Sequence, residues 1–209
     1  MNAHTETRLI AGPAGALELA LDRPAGAPRG VAVLAHPHPL HGGTMHNKVV
    51  QTLARACVQE GWLAVRFNFR GVGASAGVHD HGAGEVDDLL AVVAACAPEG
   101  PLTLAGFSFG GYVAAYGAQR LAAQRPLQAL MLVGPAASRF ALPALEAELA
   151  ARTLIVHGEL DDVVPLAAVL DWARPQGLPV TVVPGGEHFF HGRLPLLRRL
   201  AAQHLRAMA

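Results

Sequence analysis

The chain has little sulfur, little charge and no excess of either sign. Two cysteines, Cys57 and Cys96, stand among 209 residues, each inside an apolar stretch of helical character. That pattern reads as two buried thiols in a reducing compartment and excludes a disulfide framework. Charged residues make up 15%, and the 16 basic and 16 acidic groups cancel. No broad field is therefore available to hold nucleic acid or an anionic membrane. The opening MNAHTETRLIAG lacks the basic start, apolar stretch and small-residue cleavage site of a secretory leader, and no apolar run is long enough to span a bilayer. The expected location is the cytoplasm.

What is present instead is apolar residue, 52% of the total, which excludes a disordered chain. Repeats and long linkers are missing too. Proline and glycine gather only in short connections such as Pro24 to Pro28, so residues 1–209 are expected to form a single domain with one site. The apolar excess leaves room for a face shared with a second copy, a homodimer. Otherwise the expected partners are small molecules, neutral or locally recognised.

From Gly30 onward, β-branched apolar runs alternate with Ala/Leu-rich stretches of helical period, the mark of an α/β fold: a mostly parallel twisted sheet with helices on both faces. Strands are expected at Val31 to Ala35, Leu63 to Phe69, Leu102 to Ala105, Ala129 to Val133, Thr153 to Val156 and Val180 to Val183. Helices are expected at about Asn47 to Glu60, Glu85 to Ala97, Phe109 to Ala123, Leu166 to Ala173 and Leu194 to Ala207, with a short one near Leu142 to Ala150. Ahead of them, Thr7 to Ala11 and Ala16 to Leu21 flank Gly12-Pro13-Ala14-Gly15 and read as an antiparallel edge hairpin. Right-handed crossovers bring all the parallel strands' carboxyl ends to one rim, where such sheets bind ligands.

At that rim the strand Leu102 to Ala105 runs into Gly106-Phe107-Ser108-Phe109-Gly110-Gly111 and then a helical run. This is a G-x-S-x-G elbow with a strand before it and a helix after it. Gly106 and Gly110 are needed because a side chain at either would strike the neighbouring strand or helix. Of the three serines, Ser75, Ser108 and Ser138, only Ser108 sits in such a turn. A serine hydroxyl needs a base within hydrogen-bond reach and a third group to fix that base's tautomer. Two downstream loops offer them, with Asp161 in Gly158-Glu159-Leu160-Asp161-Asp162 and His188 in Gly186-Glu187-His188.

Over nearly its whole length the chain resembles an α/β hydrolase. More narrowly, His36-Pro37-His38-Pro39, Gly42-Gly43-Thr44-Met45, Asn47-Lys48 and Asn68-Phe69-Arg70-Gly71-Val72-Gly73 resemble a small lidless bacterial group of α/β-superfamily hydrolases, similar in layout to the dienelactone hydrolases. Those have Cys where this chain has Ser108. The resemblance implies a catalytic triad of Ser108, Asp161 and His188, a serine esterase or thioesterase acting through an acyl-enzyme, and no cofactor. Acyl transfer on the same intermediate, or a non-catalytic binding protein retaining the fold, are the alternatives. The oxyanion needs two backbone N–H donors, each worth roughly 3–4 kcal/mol of barrier. One is expected from Phe109, at a helix N-terminus. The other normally comes from the loop after Val31 to Ala35, where Pro37 and Pro39 have no N–H, which leaves His38. The segment Ala136 to Arg152, where such enzymes insert a lid, is too short for one.

Competing readings narrow the set. Asp162 is expected to cap the helix after it, with Pro165 in that helix's first turn; the preference for Asp161 over Asp162 and Glu159 is implied mainly by the resemblance. His191 stands three residues nearer the final helix than His188. His36, His38, His41, His46, His79 and His81 lack the spacing of a zinc site, and no H-E-x-x-H occurs, so they read as a solvated rim and no metal is expected. Gly71-Val72-Gly73-Ala74-Ser75-Ala76 approaches a dinucleotide fingerprint, yet no helix opens at its glycines, so no nucleotide cofactor is expected. Glu85, Asp87 and Asp88 read as the acidic first turn of a helix.

Overall fold

The computed structural model of the protein describes residues 5–208; the first four residues of the opening stretch read above for a leader lie outside the described residues. An edge hairpin, β1 (Glu6–Gly12) and β2 (Gly15–Asp22), precedes the alternating series β3 (Val31–Ala35), α1 (Lys48–Gln59), β4 (Leu63–Phe67), α2 (Ala83–Cys96), β5 (Leu102–Phe107), α3 (Phe109–Ala122), β6 (Ala129–Val133), α4 (Ala147–Ala150), β7 (Thr153–Gly158), α5 (Leu166–Ala173), β8 (Val180–Val183) and α6 (Leu194–Ala207). The strands form one eight-stranded sheet in the order β1-β2-β4-β3-β5-β6-β7-β8. β2 runs antiparallel to β4, and from β4 to β8 every pairing is parallel.

Continuously apolar strands are what a sheet covered on both faces requires, and two cores result. One face packs α1 and α6 through Val49, Leu53, Leu197 and Leu205 against Leu34, Phe107 and Val156. The other packs α2, α3 and α5 through Leu89, Val113 and Val169 against Val33, Leu104 and Leu132. The hairpin is tied to the sheet by a buried ion pair, Arg66 Nε and Nη2 donating to Asp22 Oδ2 at 3.1 and 2.8 Å. Arg66 Nη1 also donates to the Met45 carbonyl at 3.0 Å, which anchors the loop ahead of α1.

Several boundaries differ from expectation, each for a local reason. β4 ends at Phe67: the Asn68 N–H still follows the β2 register to the Glu18 carbonyl (2.9 Å), but the Phe69 N–H turns to His36 Nε2 (3.1 Å). β5 and β7 run two residues further than expected, since Gly106 and Phe107 pair with Leu132 and Val133, and His157 and Gly158 with Val182 and Val183. α2 starts early, at Ala83, because Glu85 Oε2 accepts the Gly82 N–H at 2.8 Å. Only Ala147–Ala150 of the Leu142 to Ala150 stretch is helical. Pro165 is the N-cap of α5 and no side chain caps that helix, which corrects the placement of Pro165 in the first turn and the capping role given to Asp162. Cys57 is buried, its thiol pushed up to about 12 by desolvation, but Cys96 is only half-buried and its sulfur accepts from Arg8. No lid separates β6 from β7, and no helix among the described residues is long and apolar enough to cross a membrane.

Candidate active site

The turn between β5 and α3 forces its own composition. A Cβ at Gly106 would lie 2.0 Å from the Gly110 oxygen, and one at Gly110 would lie 2.3 Å from the Ala35 oxygen. Between them Ser108 is held at φ +56° and ψ −118°, a conformation that a non-glycine residue adopts only when its surroundings impose it. Those surroundings are visible: the Ser108 N–H donates to the Val133 carbonyl at 2.9 Å, and the Ser108 carbonyl accepts from Gly111 and Ala136 at 2.9 and 3.2 Å.

The loops after β7 and β8 bring two more of the expected residues to that hydroxyl. His188 Nε2 lies 3.0 Å from Ser108 Oγ, and His188 Nδ1 lies 2.7 Å from Asp161 Oδ2. An ionised carboxylate only accepts, so Nδ1 carries the proton and Nε2 is left to accept from the serine. Asp161 Oδ1 accepts the N–H groups of Val163 and Val164 at 3.0 and 2.8 Å. Burial alone would raise its carboxyl; the hydrogen bond from His188 and the Val164 N–H, with the charge of His188 and His157, hold it below the ordinary carboxylate range. Its rivals are occupied elsewhere or exposed. Glu159 accepts the Gly185 N–H at 2.8 Å, Asp162 is exposed, and His191 is exposed 3.3 Å from Glu187.

Ser108 and His188 open into a cavity of about 500 Å³ lined also by His38, His41, Phe109, Arg139, Phe140 and Phe189, a size suited to a small organic ligand. The two expected N–H donors, Phe109 and His38, both belong to this lining, and neither backbone N–H has a protein acceptor among the described residues.

The solvated rim of histidines needs correction. His36 is fully buried, and burial pushes it down to about 4. His38 is likewise pushed down to about 4 by burial, with the like charge of His79 and His41 adding to it. Its ring lies 4.7 to 4.9 Å from those of His41, His79 and Phe109, and His79 in turn stands 2.8 Å from the buried Glu85 carboxylate. Among the described residues no group of three His, Cys, Asp or Glu is placed to hold a metal ion. The acidic stretch is not simply a charged first turn either. Glu85 and Asp88 are fully buried, Glu85 accepting from Asp80 and Gly82 and Asp88 gripping Arg70 at 2.8 to 3.0 Å. Together they brace the 70–82 loop that carries His79.

Sequence reasoning missed three members of this neighbourhood. His157, buried at the end of β7, donates from Nε2 to the Val164 carbonyl at 2.9 Å and stands 3.5 Å from Asp161 Oδ2; burial lowers its pKa. Its position four residues before Asp161 was the available signal. Arg139 and Phe140 reach the cavity from the segment where a lid was sought, and nothing in their local pattern marks them.

An elbow serine joined through an imidazole to a carboxylate, at the carboxyl rim of a sheet of this topology, defines an α/β hydrolase of the serine type. The family described as serine aminopeptidase, S33, matches residues 27–146, more than half of the chain, and the chain belongs to that family. Over nearly its full length it is similar to XC6422 of Xanthomonas campestris, described as an α/β serine hydrolase without a lid: 39% identity, TM-score 0.88, covering 99% of this chain and 96% of that one. An α/β serine hydrolase homologue from Coxiella burnetii is 42% identical with a TM-score of 0.80, covering 96% and 97% of the two chains. The uncharacterized protein RP471 of Rickettsia prowazekii is 38% identical over 107 residues, 49% of this chain and 45% of that protein, so the match spans less than half of that relative's length.

Proposed function

We propose that the protein hydrolyses a small carboxylic ester or thioester through an acyl-enzyme, with Ser108 as nucleophile, His188 as base and Asp161 as the group that orients and stabilises the imidazole. The observation that carries this reading is the series of 3.0 and 2.7 Å contacts from Ser108 through His188 to Asp161. As Ser108 Oγ attacks the carbonyl carbon, its proton passes to His188 Nε2, and the imidazolium formed is stabilised by Asp161. The oxyanion is met by the N–H groups of Phe109 and His38. His188 then gives its proton to the departing alkoxide or thiolate, and in the second half takes one from the water that releases the acid.

The cavity lining favours an ester over the amino-terminal peptide that the family's description suggests. An enzyme that holds a free α-ammonium group needs acidic groups at its site, because a cation leaves water only where it is paired. Among the described residues no carboxylate lines this cavity; its titratable groups are Arg139, His38, His41 and His188. The lack of a lid leaves the mouth open, which suits short or protruding acyl groups.

The test is labelling by a fluorophosphonate probe together with a panel of p-nitrophenyl esters and acyl-CoA thioesters of graded length. Wild type is expected to label and to hydrolyse short members, while Ser108→Ala neither labels nor retains more than about 1 part in 10⁴ of kcat. A folded wild type that does not label overturns the reading, and strong activity confined to long chains overturns the preference for small acyl groups.

A further inference from the structure

We infer that His36 is a positioning residue for the oxyanion hole: its imidazole holds the Pro37 carbonyl and thereby aims the N–H of His38, in the same peptide unit, into the cavity. This rests on the reading of Ser108 as nucleophile and of His38 as an oxyanion donor.

His36 Nδ1 lies 2.6 Å from the Pro37 oxygen, while His36 Nε2 accepts the Phe69 N–H at 3.1 Å. A backbone N–H can only donate, so Nε2 must carry the lone pair and Nδ1 the proton. Both contacts therefore require one neutral tautomer, and the burial that disfavours the charged ring acts in the same direction. The ring itself is fixed, fully buried and 4.4 Å from the Phe69 ring.

The Pro37–His38 bond is trans, as there are no cis peptides among the described residues, and across a trans peptide the C=O and N–H point in opposite directions. Tying the oxygen on one side therefore fixes the N–H on the other. The oxygen is also closed in from outside: a Cβ at Gly43 would lie 2.0 Å from it, so the glycine backbone rests directly against this carbonyl. The His38 carbonyl is held as well, accepting from His41 and Gly43 at 3.1 and 3.0 Å. With both flanking carbonyls engaged, the intervening N–H has no protein acceptor among the described residues and belongs to a residue that lines the cavity with Ser108. A donor fixed before the reaction costs no reorganisation when the oxyanion forms. The ring thus acts on the transition state without touching the substrate.

The experiment separates the two nitrogens. An asparagine places its amide near the Nδ1 position and keeps a donor for the Pro37 oxygen; a glutamine places its amide near Nε2, keeping an acceptor for Phe69 and losing that donor. Kinetics on a short p-nitrophenyl ester are compared for wild type, His36→Asn and His36→Gln, with thermal unfolding confirming that each is folded. Expected is a kcat within about 5-fold of wild type for His36→Asn and a fall of about 100-fold for His36→Gln, the size of losing one oxyanion donor, with KM changed less than about 2-fold in both. A merely structural role would follow stability and move no such order; equal losses, or the reverse order, overturn the inference. In wild type itself, nitrogen-resolved NMR of the imidazole is expected to show the proton on Nδ1 at neutral pH, and a proton on Nε2 would overturn the inference even if neither variant folds. Failure of wild type to label with a fluorophosphonate would instead remove the underlying reading of Ser108, so the two failures are told apart.

Discussion

The proposed oxyanion role of His38 rests on a single N–H, a kind of donor worth roughly 3–4 kcal/mol of barrier. The backbone permits a clean test of it. His38 sits at φ −53° and ψ 122°, a conformation that proline shares and that a residue ahead of Pro39 favours. His38→Pro therefore removes the N–H with little backbone strain. A kcat lower by about 10²–10³-fold is expected, while His38→Ala, which keeps the N–H and loses only the ring, should stay within roughly 10-fold. Full esterase activity in a folded His38→Pro enzyme would assign the donor elsewhere. The proline spacing marked this residue as a candidate in the sequence, as the glycine spacing marked Ser108, because both rest on what a backbone cannot do. The tertiary position of a histidine has no such local signature. His36 and His41 are both histidines of one short loop, yet the first is fully buried and the second is exposed at the cavity. Only the pairing of β3 with β4 and β5 decides between them.

At the scale of elements, the strand ends determine what the loops can hold. His36 follows β3 and accepts from the residue two past the end of β4, so the imidazole joins two strand ends that would otherwise part at the rim. Its pKa, pushed down to about 4 by burial from the 6.5 of an unfolded chain, makes this joint pH-sensitive. Between those values the unfolded state binds the proton that the folded state refuses, so stability rises with pH. The contribution is complete above pH 6.5, declines as pH falls, and is lost by about pH 4; for this one group the span corresponds to about 3 kcal/mol. Urea unfolding of wild type and His36→Asn at pH 7.5 and 4.5 checks it. The variant, having no imidazole there, should lose about 2 kcal/mol less than wild type over that range, and identical losses would mean that His36 titrates normally in the fold. The alternation of strands and helices was legible because a doubly covered sheet needs continuous apolar runs. The ends of β4, β5 and β7 were not, because they are decided by partners such as His36, Val133 and Val183 elsewhere in the chain. The same holds for Glu85 and Asp88, whose buried roles depend on loop groups that reach them only after folding.

For the whole molecule, a formal charge of zero conceals a local imbalance. Among the described residues the cavity beside Ser108 contains Arg139 and no carboxylate, and the Arg139 guanidinium has no ion-pair or hydrogen-bond partner. Its charge reaches far enough inward to help keep His38 unprotonated. An ester bearing a carboxylate should therefore be bound in preference to its neutral isostere. The preference has a ceiling, because Arg139 is exposed and exposed pairs contribute about 0.2–1 kcal/mol. Arg139→Ala is accordingly expected to raise KM for the anionic ester by about 2- to 5-fold and to leave the neutral ester nearly unchanged, with kcat little changed in both because a charge pair made equally in ground state and transition state alters KM alone. Raising the salt from about 0.02 to 0.5 M should erase most of wild type's preference and leave the variant's kinetics alone, since screening acts only where a charge pair exists. Equal changes for the two esters would mean that the guanidinium serves only to cover the cavity wall, and that selection among substrates lies with the shape set by Phe109, Phe140 and Phe189.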